Sequence, residues 1–146
     1  MKRIVILSIL VILLVGCSKD QKTINKLEGT WELVSYNQLY IDGLTSVFES
    51  TGEMTFSSYK IKKVKEDSYS RTQKYTSNGI PQNIEETGNY SVNENGGKLI
   101  LKIKNSDGTY LPDLILDINT LTSTDLKIVG VINDINQTFI YKKKRK

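Results

Sequence analysis

The sequence contains no histidine and a single cysteine, Cys17. Without histidine there can be no Ser-His-Asp or Cys-His nucleophile pair and no histidine-ligated zinc or iron. A catalyst built from this chain would rest on carboxylates, lysine or tyrosine. With one cysteine there can be no intramolecular disulfide, even in an oxidising compartment. Positive charge is also scarcer than the pI of about 9.0 suggests. Of the net +4, two charges belong to Lys2 and Arg3, and the tail Lys142-Lys143-Lys144-Arg145-Lys146 supplies five more cations. No basic face is left within the folded part, so nucleic acid is not an expected partner. There is no convincing amphipathic helix, and only one long apolar run.

That run is Ile4 to Val15, interrupted by Ser8 and preceded by Lys2 and Arg3. A helix of about 12 residues is roughly 18 Å long, short of the roughly 30 Å hydrocarbon core. A charged start, a short apolar core and then a small residue is the order of a secretory signal peptide. Leu14-Val15-Gly16-Cys17 closes it and resembles the lipobox of bacterial lipoproteins. The resemblance implies that residues 1–16 are removed and that Cys17 becomes the first residue, carrying a diacylglyceryl group on sulfur and a fatty acyl chain such as palmitate on its amine. Two or more chains hold a protein stably to a bilayer at about 0.8 kcal/mol per buried methylene. Cys17 is therefore the expected lipidation site, and membrane lipid the expected partner. Ser18, not aspartate, follows the cysteine. By resemblance to the sorting rule of diderm bacteria this permits transport to the outer membrane, the expected location over the inner membrane in the cell envelope.

Residues 17–26 then read as the lipidated cysteine and a polar tether, with at most a helical turn at Thr23 to Leu27. From Gly29 the hydrophobic period is two. Trp31, Leu33 and Ser35 alternate with Glu32, Val34 and Tyr36. Further strands are predicted around Met54 to Ser57, extended or followed by Tyr59 to Lys62, and at Ser68 to Thr76, Ile84 to Val92, Lys98 to Lys104, Leu114 to Asn119, Leu126 to Ile128 and Thr138 to Lys142. Asn78-Gly79 is a hairpin signal, and Asn95-Gly96-Gly97 and Ser106-Asp107-Gly108 are further turns. In Ser68–Thr76 one face carries Tyr69, Arg71, Gln73 and Tyr75 and the other Ser70, Thr72, Lys74 and Thr76. Neither is apolar, so this strand is expected at an edge or beside a solvated opening. Short connections throughout predict an all-β fold, an up-and-down antiparallel barrel of about eight strands, with closure removing the exposed edges.

Gly29-Thr30-Trp31 on a first strand resembles the Gly-x-Trp signature of lipocalins, whose tryptophan packs across the closed end of the barrel. The pattern from Leu114 through Leu126-Lys127-Ile128 to Tyr141-Lys142 resembles the small lipocalin-like domains of bacterial lipoproteins. The likeness spans residues 27–144, with Gly29 and Trp31 as the barrel signature. The polar middle, Glu66 to Thr87, departs from it, because a deep greasy cavity would need more apolar residues there.

Candidate chemistry is sparse. Trp31 is expected in the core. Of eight tyrosines, Tyr69 and Tyr75 are the candidates for lining a ligand pocket. Glu85 and Glu86 are neighbours on a strand and point to opposite faces, which argues against a catalytic pair. Asp113 and Asp117 stand roughly 13 Å apart on one face, beyond the roughly 5–9.5 Å separation of glycosidase carboxylates. Asn93, Asn95, Asn105 and Asp107 lack the pattern of a calcium loop. No cofactor, metal or enzymatic activity is expected. In a closed barrel the last strand ends beside the first, bringing Lys142 to Lys146 near the tether and an anionic leaflet. The expectation is a lipid-anchored, lipocalin-like barrel binding a small amphipathic ligand in the envelope. The alternative is a protein-interaction or inhibitor module of an envelope complex.

Overall fold

A computed structural model describes residues 18–40, 42–57 and 67–145. The lipobox, Cys17 and the predicted Tyr59–Lys62 strand lie outside the described residues. Alternating burial marks each strand: in β1 (Gly29–Leu39) Trp31 and Leu33 are buried while Glu32 and Val34 are exposed. β2 (Thr45–Phe48), β3 (Ser50–Phe56), β4 (Asp67–Ser77), β5 (Ile80–Asn93) and β6 (Lys98–Ile103) follow, then β7 (Leu114–Leu121), β8 (Asp125–Ile132) and β9 (Ile135–Lys143). All neighbouring strands pair antiparallel, and β9 pairs back onto β1 with Trp31 opposite Lys143 and Leu39 opposite Asn136. β2 and β3 both pair with β1, at Tyr36–Leu39 and Gly29–Glu32 respectively. They are two halves of one strand broken at Glu49, which makes the fold a closed eight-stranded barrel.

Turn chemistry sets the hairpins. Asn78 and Gly79 both have positive φ, 50° and 77°, the conformation that a two-residue hairpin matched to strand twist requires. The β8–β9 turn uses Asn133 and Asp134 in the same way, at 52° and 60°.

One end of the barrel is closed by a helix, α1 (Ser18–Leu27). This corrects the expected tether: from Ser18 onward the segment is helical and docked, with Ile24 and Leu27 buried. Only these two apolar residues face the barrel, too few to show as a periodic stripe in the sequence. Asp20 in the first turn and Lys26 in the last complement the helix dipole, and Gln21 donates to Asn25 across one turn at 2.9 Å. Gly29, at φ 111°, ends the helix and starts β1. Packing of α1 under the β5–β6 turn demands a glycine at 96, where a β-carbon would lie 2.2 Å from Thr23 Oγ1.

The core nearest α1 is apolar and full. Leu27, Trp31, Met54, Leu99, Leu101, Leu116, Leu126 and Ile128 have no exposed surface, and Phe56, Tyr90 and Tyr141 are almost as deeply buried. Trp31 lies across this end with its Nε1 donating to Leu27 O at 2.6 Å. Lys143 Nζ sits 4.7 Å from the centre of the Trp31 ring and donates to Lys26 O at 2.8 Å. The last strand is thereby fastened to the last carbonyls of α1.

Candidate functional site

The other half of the barrel interior is polar and aromatic. β4 is not an edge strand: it pairs along its length with β3 and with β5. Its Tyr69, Arg71 and Gln73 therefore point inward and are only 3%, 4% and 1% exposed. Of the two settings the sequence allowed for this strand, the structure selects the opening, since Lys74, Tyr75 and Thr76 line a cleft described below.

Arg71 and Glu86, opposite each other on β4 and β5, form an ion pair, with Nη2 donating to Oε1 at 2.8 Å. Arg71 also stacks its guanidinium carbon 5.5 Å from the Phe139 ring centre. The pair is not saturated. Arg71 Nε and Nη1, Glu86 Oε2, both amide atoms of Gln73 and the Tyr69 hydroxyl are buried with no hydrogen-bond partner in the protein. Leaving such groups unpaired costs about 1–3 kcal/mol each. Burial drives the Tyr69 hydroxyl pKa well above its usual value, with the Glu86 charge adding to the effect and Arg71 opposing it. Burial likewise raises Tyr141 to about 12 against the pull of Arg71.

A second polar set, nearer the β1–β2 turn, is closed on itself. Tyr40 Oη donates to Gln38 Oε1 at 2.6 Å, Gln38 Nε2 to Tyr36 Oη at 2.5 Å, and Tyr36 Oη to Gln137 Oε1 at 2.9 Å. Between the two sets stands an aromatic cluster. Tyr36 contacts Phe48, Tyr75 and Phe139 at ring-centre distances of 5.3, 5.2 and 5.0 Å. Phe48 and Tyr75 meet edge-on at 5.5 Å.

Phe48 and Tyr75 also line a cleft of about 860 Å³ in the barrel wall. It opens where β2 and β3 are interrupted at Glu49 and where a bulge shifts the β1–β9 register between Leu33 and Ser35. Val34 and Val47 form apolar sides, while Lys74, Glu49 and Ser50 are polar. The Ser50 hydroxyl is another buried, unpartnered group. Tyr75 is the next inward residue after Gln73 on β4, so the cleft and the Arg71 cluster lie one pleat apart, roughly 7 Å.

Of the residues singled out from the sequence, Trp31 and Gly29 lie at the α1 end. Tyr69 belongs to the buried cluster and Tyr75 to the cleft, six residues further along the same inward face. Arg71, Gln73 and Glu86 were not selected in the sequence. The available signal was Arg71, Gln73 and Tyr75 sharing a face within a barrel that leaves no edge. The basic tail emerges beside α1, as barrel closure implies, but Lys142, Lys143 and Lys144 are engaged. Lys142 pairs with Asp125 and Lys144 with Glu53, alongside the Lys143 contact with Trp31. Among the described residues no group of three or more His, Cys, Asp or Glu could hold a metal, and no helix is long and apolar enough to cross a membrane.

Several solved structures are similar to this chain at low identity. A redesigned β-barrel, mFAP0, bound to DFHBI, is 22% identical with a TM-score of 0.49, covering 81% of this chain and 99% of its own. Another redesigned barrel, b11L5F_LGL, is 18% identical with a TM-score of 0.47, covering 85% and 96%. Bovine odorant-binding protein in complex with a selenium-containing odorant is 14% identical with a TM-score of 0.46, covering 84% and 73%. No curated protein matches the chain significantly. Residues 27–128, well over half of the chain, match the lipocalin-like domain family. The chain belongs to the lipocalin-like domain family.

Proposed function

We propose that this protein is a binding module that takes up a small amphipathic molecule through the wall cleft, and that Cys17 fixes it to the cell envelope as a lipoprotein. One observation carries the binding reading: buried, unpartnered polar atoms on Tyr69, Arg71, Gln73 and Glu86 lie behind the aromatic residues of an open cleft. A barrel interior serving stability alone would gain by replacing such groups with apolar side chains. The cleft volume is in the range of small-molecule sites. The native-mass-spectrometry test is direct. The full chain, released gently from its own membranes, should carry an additional small mass that disappears on organic extraction. Repeated recovery of the bare protein would remove the binding reading.

The anchor reading rests on Leu14-Val15-Gly16-Cys17. Because α1 begins at Ser18 and is docked on the barrel, lipidation at Cys17 would hold the α1 end against the bilayer and turn the β1–β2 turn away from it. Cells fed labelled palmitate should yield a labelled mature protein, and Cys17→Ala should abolish the label. A mature protein without label, washed from membranes by salt, would sink this part.

A further inference from the structure

Resting on the binding reading above, we infer that the Arg71–Glu86–Gln73–Tyr69 cluster selects ligands with an uncharged head group that both accepts and donates hydrogen bonds, such as a primary amide, over carboxylates and amines. The argument is a census of what the cluster leaves open. On the donor side are Arg71 Nε and Nη1, the Gln73 amide nitrogen and the Tyr69 hydroxyl; on the acceptor side are Glu86 Oε2 and Gln73 Oε1. Arg71, Gln73 and Tyr69 are each more than nine-tenths buried. The ion pair makes the cluster electrically neutral, because one guanidinium faces one carboxylate at 2.8 Å. The other groups around it are the Phe139 ring beneath the guanidinium and the hydroxyls of Tyr69 and Tyr141, both uncharged at pH 7 and pushed further that way by burial, with Tyr141 within hydrogen-bonding reach of Arg71.

A carboxylate head would satisfy the donors and then bring a second negative charge against Glu86 Oε2 in a poorly solvated interior. An ammonium would satisfy the acceptors, face the Arg71 cation and leave its two nitrogens unpaired. Either adds a net charge to a buried neutral pair, which burial strongly disfavours. An amide carbonyl can accept from Arg71 while its NH2 donates to Glu86 Oε2 or Gln73 Oε1, and no net charge is added. The apolar remainder of such a ligand would be directed towards the cleft, which requires the Tyr36, Phe48 and Tyr75 rings, in mutual contact at 5.2–5.5 Å, to part.

Titration calorimetry of the full chain held in phospholipid nanodiscs, with empty nanodiscs as the blank, tests this with three probes of equal tail: octanamide, octanoate and octylamine. At pH 7 octanamide should bind at least tenfold more tightly than either charged probe. Arg71→Leu combined with Glu86→Leu, which removes the pair without stranding a charge, should weaken octanamide binding at least tenfold. Tyr69→Phe and Gln73→Leu, milder changes that keep the ion pair, should each weaken it severalfold. Tighter binding of octanoate or octylamine would overturn the head-group inference and leave the binding reading standing. Heat above the blank from none of the probes would overturn both. Octanamide binding unchanged in folded Tyr69→Phe and Gln73→Leu proteins would show that the head group sits elsewhere, and would likewise overturn the inference.

Discussion

The two halves of this barrel are built from the same strands and hold opposite kinds of interior. At the α1 end, Leu27, Trp31, Met54, Leu99, Leu101, Leu116, Leu126 and Ile128 fill the lumen with no exposed surface, and Trp31 Nε1 and Lys143 Nζ both find backbone acceptors on α1. Towards the wall cleft, the inward positions of β4 and β5 carry Arg71, Gln73 and Glu86, and several of their atoms find no partner. The second polar set shows that the fold can satisfy buried polar groups, since Tyr40, Gln38, Tyr36 and Gln137 form an unbroken chain of hydrogen bonds. The difference separates a plug that stabilises the barrel from a region whose buried polar groups are left unpaired at a cost in stability.

The contrast can be broken most severely at the plug. Trp31→Ala removes a fully buried indole and the platform for Lys143, and should destabilise the domain by about 3–5 kcal/mol in urea unfolding. In the polar half, Arg71→Leu alone strands the Glu86 carboxylate and should destabilise by about 3 kcal/mol. Adding Glu86→Leu to it should restore stability to near or above that of the parent, an outcome that a truncation at the plug does not permit. A double variant no more stable than Arg71→Leu would mean that the ion pair is as structural as the tryptophan.

Alkaline titration should produce a loss shared between the halves. Burial raises Tyr36 and Tyr141 from 10.0 to about 12. The unfolded chain therefore releases these protons first. Their contribution is complete below pH 10, falls as pH rises from 10, and is fully lost above about 12. Unfolding midpoints followed from pH 9 to 12 should decline accordingly, and Tyr36→Phe should shallow the decline. Least affected should be Lys143→Met. It loses one charge-assisted contact to Lys26 O and the cation over Trp31, about 1 kcal/mol in thermal unfolding.

Much of the barrel was legible because apolar and polar side chains alternate along most of its strands. Leu99 and Leu101 against Lys98 and Lys102 state their orientation outright, and Asn78-Gly79 states the hairpin between β4 and β5. The same logic fails on β4 itself. Alternation shows that Tyr69, Arg71, Gln73 and Tyr75 share a face, but with polar residues on both sides it does not say which face turns inward. α1 was missed for a related reason. Two apolar residues, Ile24 and Leu27, make a faint amphipathic signal, and the helix is held chiefly by what it docks on.

The sequence by itself determined an all-β domain with a closed antiparallel course, the turns at Asn78-Gly79, Asn95-Gly96-Gly97 and Ser106-Asp107-Gly108, its tryptophan-marked first strand and the absence of histidine chemistry. These follow from local rules, since side-chain alternation and turn conformation are properties of a few neighbouring residues. Only the tertiary structure decided that α1 stops one end, that the wall opens at the Glu49 break, and that Arg71, Gln73 and Glu86 are enclosed together. Those outcomes depend on registers between residues far apart in the chain, and pairing energy summed over whole strands fixes them, overriding the preference of any single polar side chain for water.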